Sequence, residues 1–168
     1  MKFPAIASLA LITSIALPLG SHAAEVTRDE VRAAADVCRP ALPAFDGMIR
    51  TSPLGLINES SSVAWVTCAL TGHPTGMTRV IDIMFMDSGS GIRTCTLVSW
   101  RAHNTGIAAL GYQPGSTSTV PSWENRIRWT YVHHNGGATY ASTAISCPLA
   151  PGDGIRHVRH MFDENVGQ

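Results

Sequence analysis

Residues Thr78 to Arg101 read TRVIDIMFM-DSGSG-IRTCTLVSWR, and this stretch decides the fold class. Thr78 to Met86 is β-branched and apolar, a strong strand signal. Asp87-Ser88-Gly89-Ser90-Gly91 is built of turn formers. In Ile92 to Arg101 one face collects Ile92, Thr94, Thr96, Val98 and Trp100, and the other Arg93, Cys95, Leu97, Ser99 and Arg101. The reading is two antiparallel strands joined by a polar turn.

The same pattern extends both ways. Val63 to Leu70 (VAWVTCAL) is apolar on both faces, as in a central buried strand, and places Trp65 in the core. Met48 to Ile57 is extended, with Pro53 at an edge or a bulge. Weaker strands fall near Ile107 to Tyr112, Ser116 to Val120, Ile127 to His133, Thr139 to Cys147 and Ile155 to Phe162. Turn signals separate them at Asn58 to Ser62, Gln113-Pro114-Gly115, Asn135-Gly136-Gly137 and Pro148 to Gly154. Only the stretch from Thr27 looks helical: Thr27 and Glu30 fit a capping box, and Val31 to Val37 favours a short helix ended by Cys38-Arg39-Pro40. About seven to nine short strands with Gly/Pro-rich links predict an all-β antiparallel sandwich or jelly-roll with a short N-terminal helix. Strands do not alternate with long helices, which argues against a doubly wound α/β fold.

Residues 1–23 read as a signal peptide: Lys2, an uncharged apolar run from Ala5 to Leu17, breakers Pro18 and Gly20, then Ser21-His22-Ala23. Cleavage is expected after Ala23, with Ala24 as the alternative, leaving 24–168 as a single domain. Lys2 is the only lysine, so the rest carries eleven arginines, one fewer than its twelve acids. That near-neutral balance argues against nucleic acid and anionic membranes as partners. No second apolar stretch nears the roughly 20 residues of a spanning helix. A secreted or periplasmic location follows, where Cys38, Cys68, Cys95 and Cys147 can pair. Of the three pairings open to four cysteines, Cys38–Cys68 and Cys95–Cys147 are preferred. The first would pin the N-terminal helix to a central strand, the second would staple mid-domain to the late strands, and together they would clamp two stacked layers.

Candidates for chemistry are sparse. Asp87-Ser88-Gly89 echoes a serine-protease motif, but only His73 precedes it after the leader, and the turn reading is preferred. His133, His134, His157 and His160 could meet across strands with Asp153 or Asp163, yet alternation allows only one of each His pair per face, and neither a metal nor a cofactor is expected. Asp82 interrupts an apolar strand and is expected to pair with Arg79, Arg93 or Arg101. Glu59, Asp87, Glu124 and Asp153 fall in turns, and no phosphate loop, HExxH or GxSxG occurs. The best candidate surface is Trp123, Arg126, Trp129 and Tyr131, extended by His133 and Tyr140. Trp129 and Tyr131 share a strand face, on which sugar rings could stack, while packing in the core is the competing role.

Ile49 to Glu59 (IRTSPLGLINE), Ala64 to Cys68 (AWVTC), Thr94 to Leu97 (TCTL), Ile145 to Gly152 (ISCPLAPG) and Asp163 to Gly167 (DENVG) carry a resemblance across most of the chain after residue 23. It resembles small secreted proteins of environmental proteobacteria with four similarly placed cysteines, a group without an assigned activity. The resemblance implies a compact secreted β-domain and carries over no catalytic residue. The function expected is a non-catalytic binding or interaction module whose ligand the sequence does not name, a cell-surface glycan, a protein or an envelope component being the candidates, with a small extracellular hydrolase or a purely structural secreted protein as alternatives.

Overall fold

Alternation along Ala64 to Leu70 sets the layering: Ala64, Val66, Cys68 and Leu70 are buried, whereas Trp65 and Ala69 face out. The computed structural model describes residues 24–71, 78–86, 91–101, 109–117, 125–130 and 142–166. In chain order these form β1 (Ala24–Ala33), α1 (Ala34–Val37), β2 (Cys38–Pro40), a 3-10 turn (Pro43–Phe45), β3 (Ile49–Ser52), β4 (Gly55–Asn58), β5 (Ala64–Thr71), β6 (Thr78–Phe85), β7 (Thr94–Arg101), β8 (Ala109–Ser116), β9 (Arg126–Thr130), β10 (Ser142–Leu149) and β11 (Gly154–Val166).

Two antiparallel sheets result. One runs β3-β4-β11-β6-β9, with β1 also paired to β11; the other runs β2-β5-β10-β7-β8. Their inner faces meet through Leu56, Ile83, Phe85, Leu97, Ile127 and Ile145, all essentially inaccessible to solvent. Each such side chain contributes about 1.5–3 kcal/mol on burial, so the apolar face between the sheets is the main source of stability. The all-β sandwich expected from the sequence is therefore the architecture.

Several partners differ from expectation. β6 and β7 do not form a hairpin; they lie in different sheets, so the chain changes layer between them. Each pairs instead with late strands, β6 with β11 and β7 with β10. Residues from Thr27 form no capped helix. Thr27 to Ala33 belongs to a ten-residue ladder with β11, and the Thr27 hydroxyl donates to Asp163 Oδ1 at 2.8 Å. Only Ala34 to Val37 remains helical, because the ladder satisfies more backbone groups than one helical turn could. Pro53 sits in the β3–β4 connection rather than within a strand.

Gln113-Pro114-Gly115 is not a turn but lies in the second half of β8. β8 is an edge strand, where a residue without an N–H is tolerated. At Gly115 an added Cβ would lie 2.4 Å from Ile127 Cγ2 and 2.8 Å from Trp129 Cζ2, so glycine admits the close approach of β9. Gly55 is required for a second reason: its φ is +134°, and an added Cβ would lie 2.1 Å from the Ile155 carbonyl oxygen.

The disulfides are Cys38–Cys68 and Cys95–Cys147. Both lie within the five-stranded sheet, the first joining β2 to β5 and the second β7 to β10. They therefore cross-link neighbouring strands and do not clamp one layer to the other. The sheets are held together by apolar packing and by polar links at their margins. Two disulfides fit an oxidising compartment, and no helix among the described residues is long and apolar enough to cross a membrane.

Candidate functional site

The outer face of the five-stranded sheet carries two large exposed aromatic side chains, Trp65 at 43% and Tyr112 at 64% exposure. Register fixes what lies between them. One row runs Thr67, Ser146, Thr96 and Pro114 across β5, β10, β7 and β8; the next runs Ala69, Ala144, Val98 and Tyr112. The strip is thus floored by small and hydroxyl-bearing residues. From strand spacing and rise, Trp65 and Tyr112 stand roughly 20 Å apart along it.

Beside Trp65 the chain leaves β2 and makes its 3-10 turn, and the Ala41 N–H donates to the Trp65 carbonyl at 2.8 Å. This packs Leu42 and Phe45 next to the indole. Ala41, Leu42, Phe45 and Trp65 line a shallow, open depression of about 450 Å³. Leu42 remains 57% exposed there. Because alternation turns Cys68 and Val66 inward, Trp65 must point outward. The parity of Cys68 was the available signal, masked by a segment that reads as apolar on both faces.

Trp129 and Arg126 of the sequence-derived candidates fall in β9, while Trp123, Tyr131, His133, His134 and Tyr140 lie outside the described residues, as do His73, Asp87, Ser88, Gly89 and Glu124. Trp129 is only 5% exposed, so its ring is not a platform for stacking. It faces β8 of the other sheet, where the indole N–H donates to the Gln113 carbonyl at 3.1 Å. The face of β9 turned away from Trp129 bears Arg126, Arg128 and Thr130.

Those arginines belong to a ladder of alternating charge. Arg159, Asp82 and Arg128 stand opposite one another on β11, β6 and β9. Arg128 grips Asp82 in a two-point contact, Nε to Oδ1 at 2.6 Å and Nη2 to Oδ2 at 2.8 Å. Arg159 Nη1 is 3.6 Å and Arg126 Nη1 4.0 Å from Asp82 Oδ2, and Arg159 also holds Asp29 at 2.7 Å. Asp82 thus has arginine partners from neighbouring strands, Arg126, Arg128 and Arg159, while Arg79 and Arg93, two of the candidates from the sequence, hold other carboxylates. Two further carboxylates are also engaged: Asp163 receives Arg79 Nε at 2.7 Å, and Asp153 receives Arg93 at 3.0 Å.

Of the four histidines considered as a cluster, His157 and His160 fall in the described part of the chain, and His133 and His134 lie outside it. His157 and His160 lie on opposite faces of β11; His160 is buried with Nε2 3.0 Å from Thr78 Oγ1 and its ring against Phe162. His157 is pushed below the usual imidazole range, first by burial and then by Arg156. Among the described residues no group of three or more His, Cys, Asp or Glu could hold a metal ion.

The hydrogen bonds from Arg79 and then Thr27 hold the Asp163 carboxyl below its ordinary range, against the opposing effect of burial. Since it ionises more readily folded than unfolded, its stabilisation is complete above the unfolded value of about 3.9 and is lost as pH falls through the lower folded value. The urea midpoint should therefore drop between pH 6 and pH 3, and Asp163→Asn should show a smaller drop than the parent. Equal drops would remove Asp163 as a source of the acid sensitivity.

No protein-family model and no curated protein matches the sequence. Among solved structures, the chain is similar to the CBM22-1–GH10 modules of endo-1,4-β-D-xylanase 10B from Clostridium thermocellum, solved with xylohexaose. That likeness has 16% identity and a TM-score of 0.37 over 67% of this chain and 21% of the other. A second match is a structure described as addressing the promiscuous specificity of carbohydrate-binding modules of the β-sandwich superfamily. It has 13% identity and a TM-score of 0.39 over 84% of this chain and 56% of the other. This chain thus spans about a fifth and just over half of those structures.

Proposed function

We propose that this is an exported, non-catalytic binding module whose ligand is a glycan chain lying on the outer face of the five-stranded sheet. The observation that carries the reading is Trp65: a tryptophan on a sheet face, partly exposed beside an open depression rather than packed inside. An indole face offers apolar area to the C–H face of a pyranose, and the hydroxyls of Thr67, Ser146 and Thr96 lie further along the same strip. Tyr112 marks its far side. In this reading residues 1–23 are removed on export, and the disulfides form in the compartment that follows.

The hydrolase alternative calls for a carboxyl group able to exchange a proton beside the scissile bond. Asp82, Asp153 and Asp163 are held by arginines, and Glu59 pairs with Arg50 at 2.7 Å, which favours binding over catalysis for these acids. Native affinity electrophoresis through gels containing soluble polysaccharides tests the proposal. Retardation by at least one polysaccharide is expected, and Trp65→Ala should weaken it at least about tenfold, in the range for loss of an aromatic anchor. Identical migration of both proteins in every retarding gel would remove Trp65 from the contact surface.

A further inference from the structure

The depression beside Trp65 is suited to only part of a sugar. Its lining residues are Ala41, Leu42, Phe45 and Trp65, and the indole N–H is the only side-chain hydrogen-bonding group among them. The Ala41 N–H is already given to the Trp65 carbonyl. A hydroxyl-rich edge entering there would lose water and find few partners, which is unfavourable. A methyl group entering there would meet an aliphatic side chain, a phenyl ring and an indole.

Polar groups begin immediately alongside. Thr67 is the next outward residue of β5 after Trp65, Ser146 stands opposite Thr67 on β10, and Thr96 stands opposite Ser146 on β7. A ligand must therefore be apolar at one projecting point and hydroxyl-rich over the rest. A polymer of plain hexoses lacks the first property, and an apolar peptide side chain makes no use of the hydroxyl strip.

Building on the proposed glycan-binding role, we infer that the ligand is an N-acylated hexosamine glycan, its acyl methyl seated against Leu42 and Phe45 and its ring on Trp65. The remaining hydroxyls face Thr67 and Ser146. Two natural polymers offer this chemistry, a homopolymer of N-acetylglucosamine and the glycan strand of peptidoglycan.

Isothermal titration of the protein with an N-acetylglucosamine oligomer, a glucose oligomer of equal length and a peptide-free peptidoglycan strand tests the inference. Either N-acetylated ligand should bind at least about tenfold tighter than the glucose oligomer, the scale on which apolar pockets read single methyl-sized groups. Which of the two binds better identifies the source. Leu42→Ser, a change at an exposed side chain, should cut that preference to about threefold or less. Equal affinity for acetylated and plain oligomers, with both lost in Trp65→Ala, would overturn the acyl assignment and leave the module reading standing. An undiminished preference in Leu42→Ser would overturn the placement of the methyl. Binding of no glycan at all would overturn both the inference and the reading beneath it.

Discussion

Replacing Cys95 and Cys147 together by alanine is expected to lower stability by roughly 3–5 kcal/mol, the entropic worth of closing a loop of this length plus the loss of buried sulfur. The bridge spans 52 residues and ties β7 to β10, both interior to the five-stranded sheet. A fall of about 10 °C in Tm should accompany it for a domain of this size. Cys38→Ala with Cys68→Ala opens a shorter loop of 30 residues and frees only the three-residue strand β2. The global loss there should be smaller. Yet β2 leads directly into Ala41, Leu42 and Phe45, so glycan affinity should fall in this variant before the fold does. Thermal melts and titrations on the same two proteins separate these effects. Equal stability loss with unchanged binding would contradict the tethering role of β2.

The second large effect is expected at Arg93, whose side chain is 5% exposed. Its guanidinium holds Asp153 Oδ1 at 3.0 Å, donates to Asn125 Oδ1 and lies 5.1 Å from the centre of the Phe85 ring. Asn125 in turn donates to the Met86 carbonyl at 2.9 Å, and the Asp153 carbonyl accepts from the Asn58 N–H at 2.8 Å. One cation thus joins the start of β7 to the ends of β4, β6 and β9 and to the turn before β11, linking the two layers. Arg93→Met leaves a carboxylate in a largely buried place and should cost about 3–5 kcal/mol. Adding Asp153→Asn removes that charge, so the double variant should regain part of the loss. Urea unfolding of both proteins checks this. A double variant less stable than Arg93→Met would show that Asp153 contributes chiefly through its contact with the Ala150 N–H.

The layering was legible because side-chain alternation is a local property: Cys95, Leu97 and Ser99 turn inward as their spacing demands. Pairing was less so. Nothing local tells β6 that its neighbours are β11 and β9 rather than the strand that follows it. Gln113-Pro114-Gly115 misled because glycine and proline mark turns on average, whereas here an edge position excuses the proline and Trp129 requires the glycine. In β1, helical propensity lost to a ladder with the last strand, a contact across 136 residues at Thr27 and Asp163. The candidate surface suffered from the same limit. Arg126 to Trp129 announces aromatic and basic character, but only the packing of β8 against β9 turns Trp129 inward. Trp65 was hidden by apolar neighbours and revealed by the burial of Cys68, three residues on and so on the other face of β5.

In the proposed function, ligands meet the outer face of the five-stranded sheet. Amide chemical-shift mapping during titration with an N-acetylglucosamine oligomer tests it most directly. The predicted result is a contiguous set of shifts at Trp65, Thr67, Ser146 and Thr96 together with Leu42 and Phe45. Shifts confined to Arg126, Arg128 and Arg159 on the opposite sheet, with Trp65 unmoved, would contradict it.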